Sequence, residues 1–240
     1  KVCIATESMN EQDYLECRNF GFINRVLSNP LFNNVYKLAK KLNISWFDLS
    51  KKFSDYVKSG EYNGEFKQIY LNFCLESENE LFNTIEEAEK FYAKEDNYKA
   101  LLKGDVGENL IAKYTVQSLS SYNEIIEIIF KVFDKYFNSN LNNVPDNLIS
   151  SAISWLKDLY IINEILEIEK SSIYEKKIDL DFDFPNWIKS ENKEIRDYNK
   201  KKIYKVFSNQ ELIKNIKEEM QVNFGNDKNR AFGRYMERRG

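Results

Sequence analysis

The sequence predicts a mainly α protein, an irregular multi-helix bundle with a short N-terminal strand and an extended segment near residues 178–187. Three observations carry this. Capping signals recur ahead of apolar runs at helical spacing. Gly and Pro, the residues that break helices, number 8 and 3 in 240, so few interruptions are encoded. Strict apolar–polar alternation is confined to one stretch. With 42% hydrophobic and 15% aromatic side chains, the chain has enough apolar surface to bury one large core or two smaller ones.

Residues 2–6, "VCIAT", are short, β-branched and apolar, which suits a buried strand. Asn10 then caps a helix running to about Ser28, with Asp13 at its third position and Met9 and Tyr14 placed as a hydrophobic staple. In "NISWFDLSKKFSDYVKSG", Ser45 and Asp48 form a box-like pair, Ile44 and Leu49 supply the staple, and Gly60 follows as a stop. From Glu65 to Leu102 apolar positions keep helical spacing without a break, until "KGDVGEN" ends the run with two glycines. Ser121 and Glu124 read as the capping box of a helix that puts Ile125, Ile128, Ile129, Val132, Phe133 and Tyr136 on one broad face, the pattern of a core helix. Pro145 and Asp146 open a long helix to about Glu169, carrying Trp155, Leu156, Leu159 and Ile162. "IDLDFDFPNW" alternates from Ile178 to Phe184 and ends at Pro185, which predicts an extended segment lying over the bundle. Ser208 with Glu211, and Phe207 with Leu212, mark a last helix, with Gly225 beyond its end. Stripes this wide need neighbours, so a bundle of about eight helices follows.

Composition excludes several chemistries. The chain has no histidine, which rules out within it a Ser-His-Asp or Cys-His arrangement, an H-E-x-x-H zinc site and a histidine-ligated haem. Cys3, Cys17 and Cys74 are too far apart for a C-x-x-C signature and odd in number for a disulfide framework, so they read as reduced, mainly buried residues. The aspartates of "DLDFDF" invite a calcium loop, but such a loop needs Gly at its sixth position and Glu at its twelfth, where this chain has Phe184 and Ser190. Thirty-five basic residues against thirty-eight acidic ones leave a net charge of −3, too small to draw in nucleic acid or an anionic membrane by an overall field. No run reaches a membrane span and no signal peptide is visible, so a cytoplasmic location is expected. Near the C-terminus, Lys228, Arg230, Arg234, Arg238 and Arg239, with Phe232 and Tyr235 between them, outnumber Asp227 and Glu237. That tail suits phosphate contact. A solvated helix end, or a tail docked on its own domain, explains it more simply, so nucleic acid is the less favoured partner.

Four stretches in order, "ATESMNEQDYLECR", "GDVGENLIAKY", "DFDFPNW" and "FGNDKNRAFGRYMERR", resemble the C-terminal helical region of cobalamin-binding radical SAM proteins. The resemblance spans nearly the whole chain. Proteins of that family carry an N-terminal cobalamin-binding domain, a central partial barrel holding a 4Fe-4S cluster on a C-x-x-x-C-x-x-C loop, and the helical region. It implies that residues 1–8 are the last strand of an upstream barrel and the turn leaving it, and that 9–240 form the helical domain. Neither the cluster loop nor a cobalamin-ligating histidine is present here. The cluster, S-adenosylmethionine and cobalamin would therefore belong to upstream domains of the same polypeptide, and this chain would cover the barrel mouth and shape the substrate pocket. The residues so implied are Thr6, Glu7 and Ser8 at the strand exit, Tyr14, Glu16 and Arg18 on the first helix, and Asp183 and Trp187 around "FPN". Five of them have a plainer reading: a turn satisfying backbone donors for Glu7 and Ser8, a surface ion pair for Arg18, and an anchor of the extended segment for Asp183 and Trp187. A free-standing helical module that binds another protein, exposing an apolar or aromatic groove, is the alternative function. A nucleic-acid-binding domain using the basic tail is a third.

Overall fold

Most of the helix boundaries follow from side chains that satisfy the first unpaired backbone N–H groups. The computed structural model describes residues 7–103, 107, 109–142, 144–159, 175–191 and 194–207. Helix α1, Glu11–Leu27, opens on a reciprocal cap: the Asn10 side chain accepts from Asp13 N and the Asp13 carboxylate accepts from Asn10 N, both at 2.9 Å. A cap of this kind contributes about 1 kcal/mol. It stops before Asn29 and Pro30, where the proline ring disfavours helical backbone at the preceding residue.

Helices α2, Asn33–Lys41, and α3, Trp46–Lys58, are joined by a four-residue turn. Asn43 in that turn has φ 53°, a left-handed conformation that Asn tolerates better than most residues. The Asn140 amide donates to the carbonyls of Leu42 and Asn43 at 3.2 and 2.9 Å and fixes the turn from outside. Ser45 caps α3 as expected, its Oγ accepting from Asp48 N at 3.3 Å.

The expected continuous run from Glu65 to Leu102 is three helices: α4, Glu65–Asn79; α5, Ile85–Tyr92; and α6, Glu95–Lys103. The break lies at a capping box that the apolar spacing masks. Thr84 Oγ1 accepts from Glu87 N, and the Glu87 carboxylate accepts from Asn83 N, both at 3.1 Å. Helix α5 packs mainly on α6 and buries no residue of its own.

Helix α7, Leu110–Gln117, is capped by Asn109 and leads through one 3-10 turn into α8, Tyr122–Tyr136. Ser121 makes no cap there; the box expected with Glu124 is absent because Glu124 is engaged elsewhere. Helix α8 is the centre of the molecule. Its residues Ile125, Ile126, Ile128, Ile129, Phe130, Val132 and Phe133 are all buried, whereas Tyr136, expected on the same face, is exposed; the helix packs against α3 on one side and α10, Leu148–Asp158, on the other. Burial of each such side chain contributes roughly 1.5–3 kcal/mol. A second layer forms where α1 packs on α3, α4 and α7, with Phe22 stacked on Phe73 at 4.4 Å and Tyr114 edge-on to both rings. A short helix, α9, spans Asn138–Leu141.

Helix α10 begins at Leu148 rather than at Pro145, whose carbonyl instead closes the preceding turn by accepting from Leu148 N. The extended segment is strand β1, Glu175–Leu180, paired antiparallel with β2, Lys202–Phe207, from Glu175↔Phe207 to Leu180↔Lys202. Extension ends at Leu180, earlier than expected, and Phe184–Trp187 is a one-turn helix with Pro185 in its first turn. Strand β2 was not expected. Its apolar Ile203 points outward at 69% exposure, and its lysines, Lys202 and Lys205, fall on opposite sides of the strand, so no amphipathic signal marks it. The apolar residues of the first stretch do point inward: Ile178, Leu180, Phe182 and Phe184 are buried, and Phe184 stacks on Trp155 at 4.9 Å with the rings 7° apart. The strand expected at 2–6, the continuation of the α10 helix past residue 159 and the last helix from Ser208 lie outside the described residues.

Candidate functional site

Of the residues singled out in the sequence, Tyr14 with Arg18 and Asp183 with Trp187 fall at two separate structural junctions, and the other described ones do not. Thr6 lies outside the described residues; Glu7 and Ser8 sit in an exposed turn ahead of α1, and Glu16 is exposed, accepting from Gln12 Nε2 at 3.4 Å. Tyr14 and Arg18 are brought together. Their spacing of four places them on one face of α1, and Arg18 Nη1 donates to Tyr14 Oη at 3.4 Å.

From there the guanidinium crosses to α4, where Nε donates to Ser77 Oγ at 3.1 Å and Nη2 pairs with Glu80 Oε2 at 2.8 Å. One turn earlier on α4, Glu76 pairs with Lys113 of α7 at 2.6 Å. Two carboxylates from one helix thus meet two cations from its neighbours, around a fully buried Ser77. Burial pushes the Glu80 carboxyl up from its ordinary range, against the pull of Arg18. The arrangement pins three helices together through charge-assisted hydrogen bonds. Arg18 is therefore more than a surface ion pair.

Asp183 and Trp187 are both buried, and Asp183 ties the one-turn helix to β2. Asp183 accepts from Asn186 N at 3.3 Å and from Asn186 Nδ2 at 2.9 Å, capping the one-turn helix, and also accepts from Lys202 Nζ and Tyr204 Oη. The strand register explains the convergence, since Tyr204 and Lys202 pair with Ile178 and Leu180 and so share their inward face. Burial alone would raise the Asp183 carboxyl; the bonds from Lys202, Tyr204 and Asn186 outweigh it and hold it down to about 2. The same bond, after burial, pushes the Tyr204 phenol up.

A third junction went unread. The Glu124 carboxylate, on α8, accepts from Phe66 N at 2.9 Å and so caps α4 from a different helix. Gly64, at the cap position, has no side chain to do this, and a Cβ there would lie 1.7 Å from Glu124 Oε1. Burial and the Glu124 carboxylate push the nearby Tyr62 phenol up. An interhelical cap leaves no local spacing, though the Asn63–Gly64 pair is a turn signal that marks where one is needed.

Nucleophile and metal chemistry find little support. Cys74 is half-buried and burial pushes its thiol up, away from the reactive thiolate; Cys17 is exposed and Cys3 lies outside the described residues. Among the described residues no three Cys, Asp or Glu side chains are grouped to hold a metal ion, and Asp179 and Asp181 face solvent while Asp183 turns inward. Among the described residues no helix is long and apolar enough to cross a membrane. Set against known protein families, curated proteins and solved structures, the chain matches none.

Proposed function

We propose that the chain is a covering domain, a helical body that packs against another domain and shapes the mouth of that domain's site. The observation that carries this reading is the division of labour among its side chains. Tyr14, Arg18 and Asp183 are committed to holding helices and sheet together, while exposed apolar residues gather along α4–α6: Leu71, Leu75, Ile85, Tyr98, Leu101 and Leu102 are 39–68% exposed. A surface of that kind suits contact with a second protein surface.

The finer reading rests on the resemblance. The covered partner is the barrel of a cobalamin-dependent radical SAM enzyme of the cytoplasm, upstream in the same polypeptide, supplying the 4Fe-4S cluster, S-adenosylmethionine and cobalamin sites, with Thr6 to Arg18 as the seam. The test is the coding sequence upstream of Lys1, followed by anaerobic purification of the full-length product. A C-x-x-x-C-x-x-C loop and bound iron, sulfide and cobalamin are expected. A full-length product without that loop, or one that binds neither cluster nor cobalamin, overturns the reading. The second reading, a free-standing interaction module, is favoured by the α5–α6 hairpin, on which Ile85, Tyr98, Leu101 and Leu102 are exposed. It predicts a stable complex with a separate polypeptide that Leu102→Glu weakens.

A further inference from the structure

Two edge-on aromatic pairs meet at the start of α3. Tyr36 of α2 meets Trp46 of α3 at 5.4 Å, and Phe47, the next residue, meets Phe20 of α1 at 5.9 Å. Tyr36 and Phe47 are 47% and 63% exposed. Two rings left this open in water forgo burial that would stabilise the fold, and their faces suit stacking on flat π systems.

Helices α2 and α3 concentrate positive charge, whereas α1 carries Glu11, Asp13 and Glu16 against Arg18 and Arg25. Residues 33–58 carry Lys37, Lys40, Lys41, Lys51, Lys52 and Lys58 against Asp48 and Asp55, six against two, which leaves +4 in a chain whose net charge is −3. Lys37, Lys40 and Lys51 are exposed. Lys40 follows Tyr36 by four residues on α2, and Lys51 follows Phe47 by four on α3, so each exposed ring has a cation one turn along the same face. The four-residue turn between the helices is held by Asn43 and by the Asn140 amide, so rings and cations are presented in a fixed arrangement.

We infer that this α1–α2–α3 surface binds single-stranded nucleic acid, with Phe47 and Tyr36 stacking on bases and Lys37, Lys40 and Lys51 contacting phosphates. Charge and shape both favour the single strand. A duplex hides its base faces, and it carries a phosphate charge about every 1.7 Å, which would meet Asp48 and Asp55 on the exposed side of α3. Groove reading also asks for donors and acceptors on that side, where Phe47 stands. The inference is independent of the covering-domain reading and uses residues other than those of the basic tail.

The test is fluorescence anisotropy of the whole chain with labelled dT and U oligonucleotides of about 15 nucleotides, a duplex of the same length and an acidic peptide. Both single strands are expected to bind at low salt, more tightly than the duplex or the peptide, with a log–log salt slope of about −2 for three phosphate contacts. Phe47→Ala is expected to weaken binding about tenfold, and Lys51→Gln to reduce the slope by about 0.7. Replacing Arg230, Arg234, Arg238 and Arg239 together by Gln is expected to leave binding unchanged. Absence of binding at low salt overturns the inference, as does preference for duplex or peptide, or loss of binding through the tail substitutions while Phe47→Ala and Lys51→Gln are neutral. Melting temperature is followed for each variant; should Phe47→Ala fail to fold, the salt slope of Lys51→Gln decides alone.

Discussion

At Asp183, burial and hydrogen bonding pull the proton in opposite directions, and hydrogen bonding wins. A carboxyl held down to about 2 in the fold, against an ordinary 3.8, stabilises the protein above the ordinary value and loses that contribution as pH falls toward 2. Asp183→Asn is expected to cost about 2 kcal/mol at neutral pH. Urea unfolding at pH 7, 4 and 2 checks this, because the gap between wild type and variant should shrink over the acid range. Gly64 supplies a second residue-scale outcome. Gly64→Ala drives a methyl into both the Glu124 carboxylate and the Tyr62 ring and should cost about 1–3 kcal/mol, whereas in a Glu124→Ala background only part of that cost should vanish, because the Tyr62 contact remains; a double-mutant cycle measures the difference. Asp183 was legible in the sequence as an anchor through its place beside "FPNW". Glu124 was legible only as a residue of its own helix, because spacing along one helix carries no record of a donor on another.

Among elements, the α1–α4–α7 junction depends on a charge that its surroundings do not favour. Arg18→Met would leave Glu80 half-buried beside Glu76 without its cation, at an expected cost of about 1–3 kcal/mol near neutral pH. Burial already raises the Glu80 carboxyl in the fold, and loss of Arg18 raises it further. The folded variant therefore binds a proton more tightly than the unfolded chain, so its deficit should narrow as pH falls through the carboxylate range. Denaturation midpoints at pH 7 and 4 test the sign. Elements opened by their own caps were legible: α1 by Asn10 with Asp13, and α3 by Ser45. The α4–α5–α6 division was not, because apolar residues keep helical spacing straight across the break and the capping box at Asn83–Glu87 lies inside the run. Strand β2 escaped for the complementary reason. Its outward side carries Ile203, and its inward side carries Lys202 and Tyr204, whose polar ends serve Asp183.

For the whole molecule, buried contact is unevenly distributed. Helix α8 lies between α3 and α10 with an entirely buried face, whereas α5 packs mainly on α6. Ile129→Ala is expected to cost about 2–5 kcal/mol and to speed amide exchange throughout the bundle; Leu102→Ala should stay within about 0.5 kcal/mol. In native-state exchange, α5 and α6 amides should open well below the global unfolding free energy and those of α8 only with it, and equal protection of the two would contradict this account. From the sequence alone came the mainly helical class, the caps that open α1 and α3, the inward apolar face of α8 and the inward apolar side of Ile178–Phe184. These are determined locally, by backbone donors at helix starts and by the periodicity of side chains about their own axis. Tertiary structure alone decided that Glu124 caps α4, that Arg18 locks α1 onto α4 and that Lys202 and Tyr204 close on Asp183. It also decided that Tyr36 meets Trp46 and that Phe47 meets Phe20. Each of these joins residues from separate elements, and their meeting depends on how the helices and strands pack, which no period along the chain records.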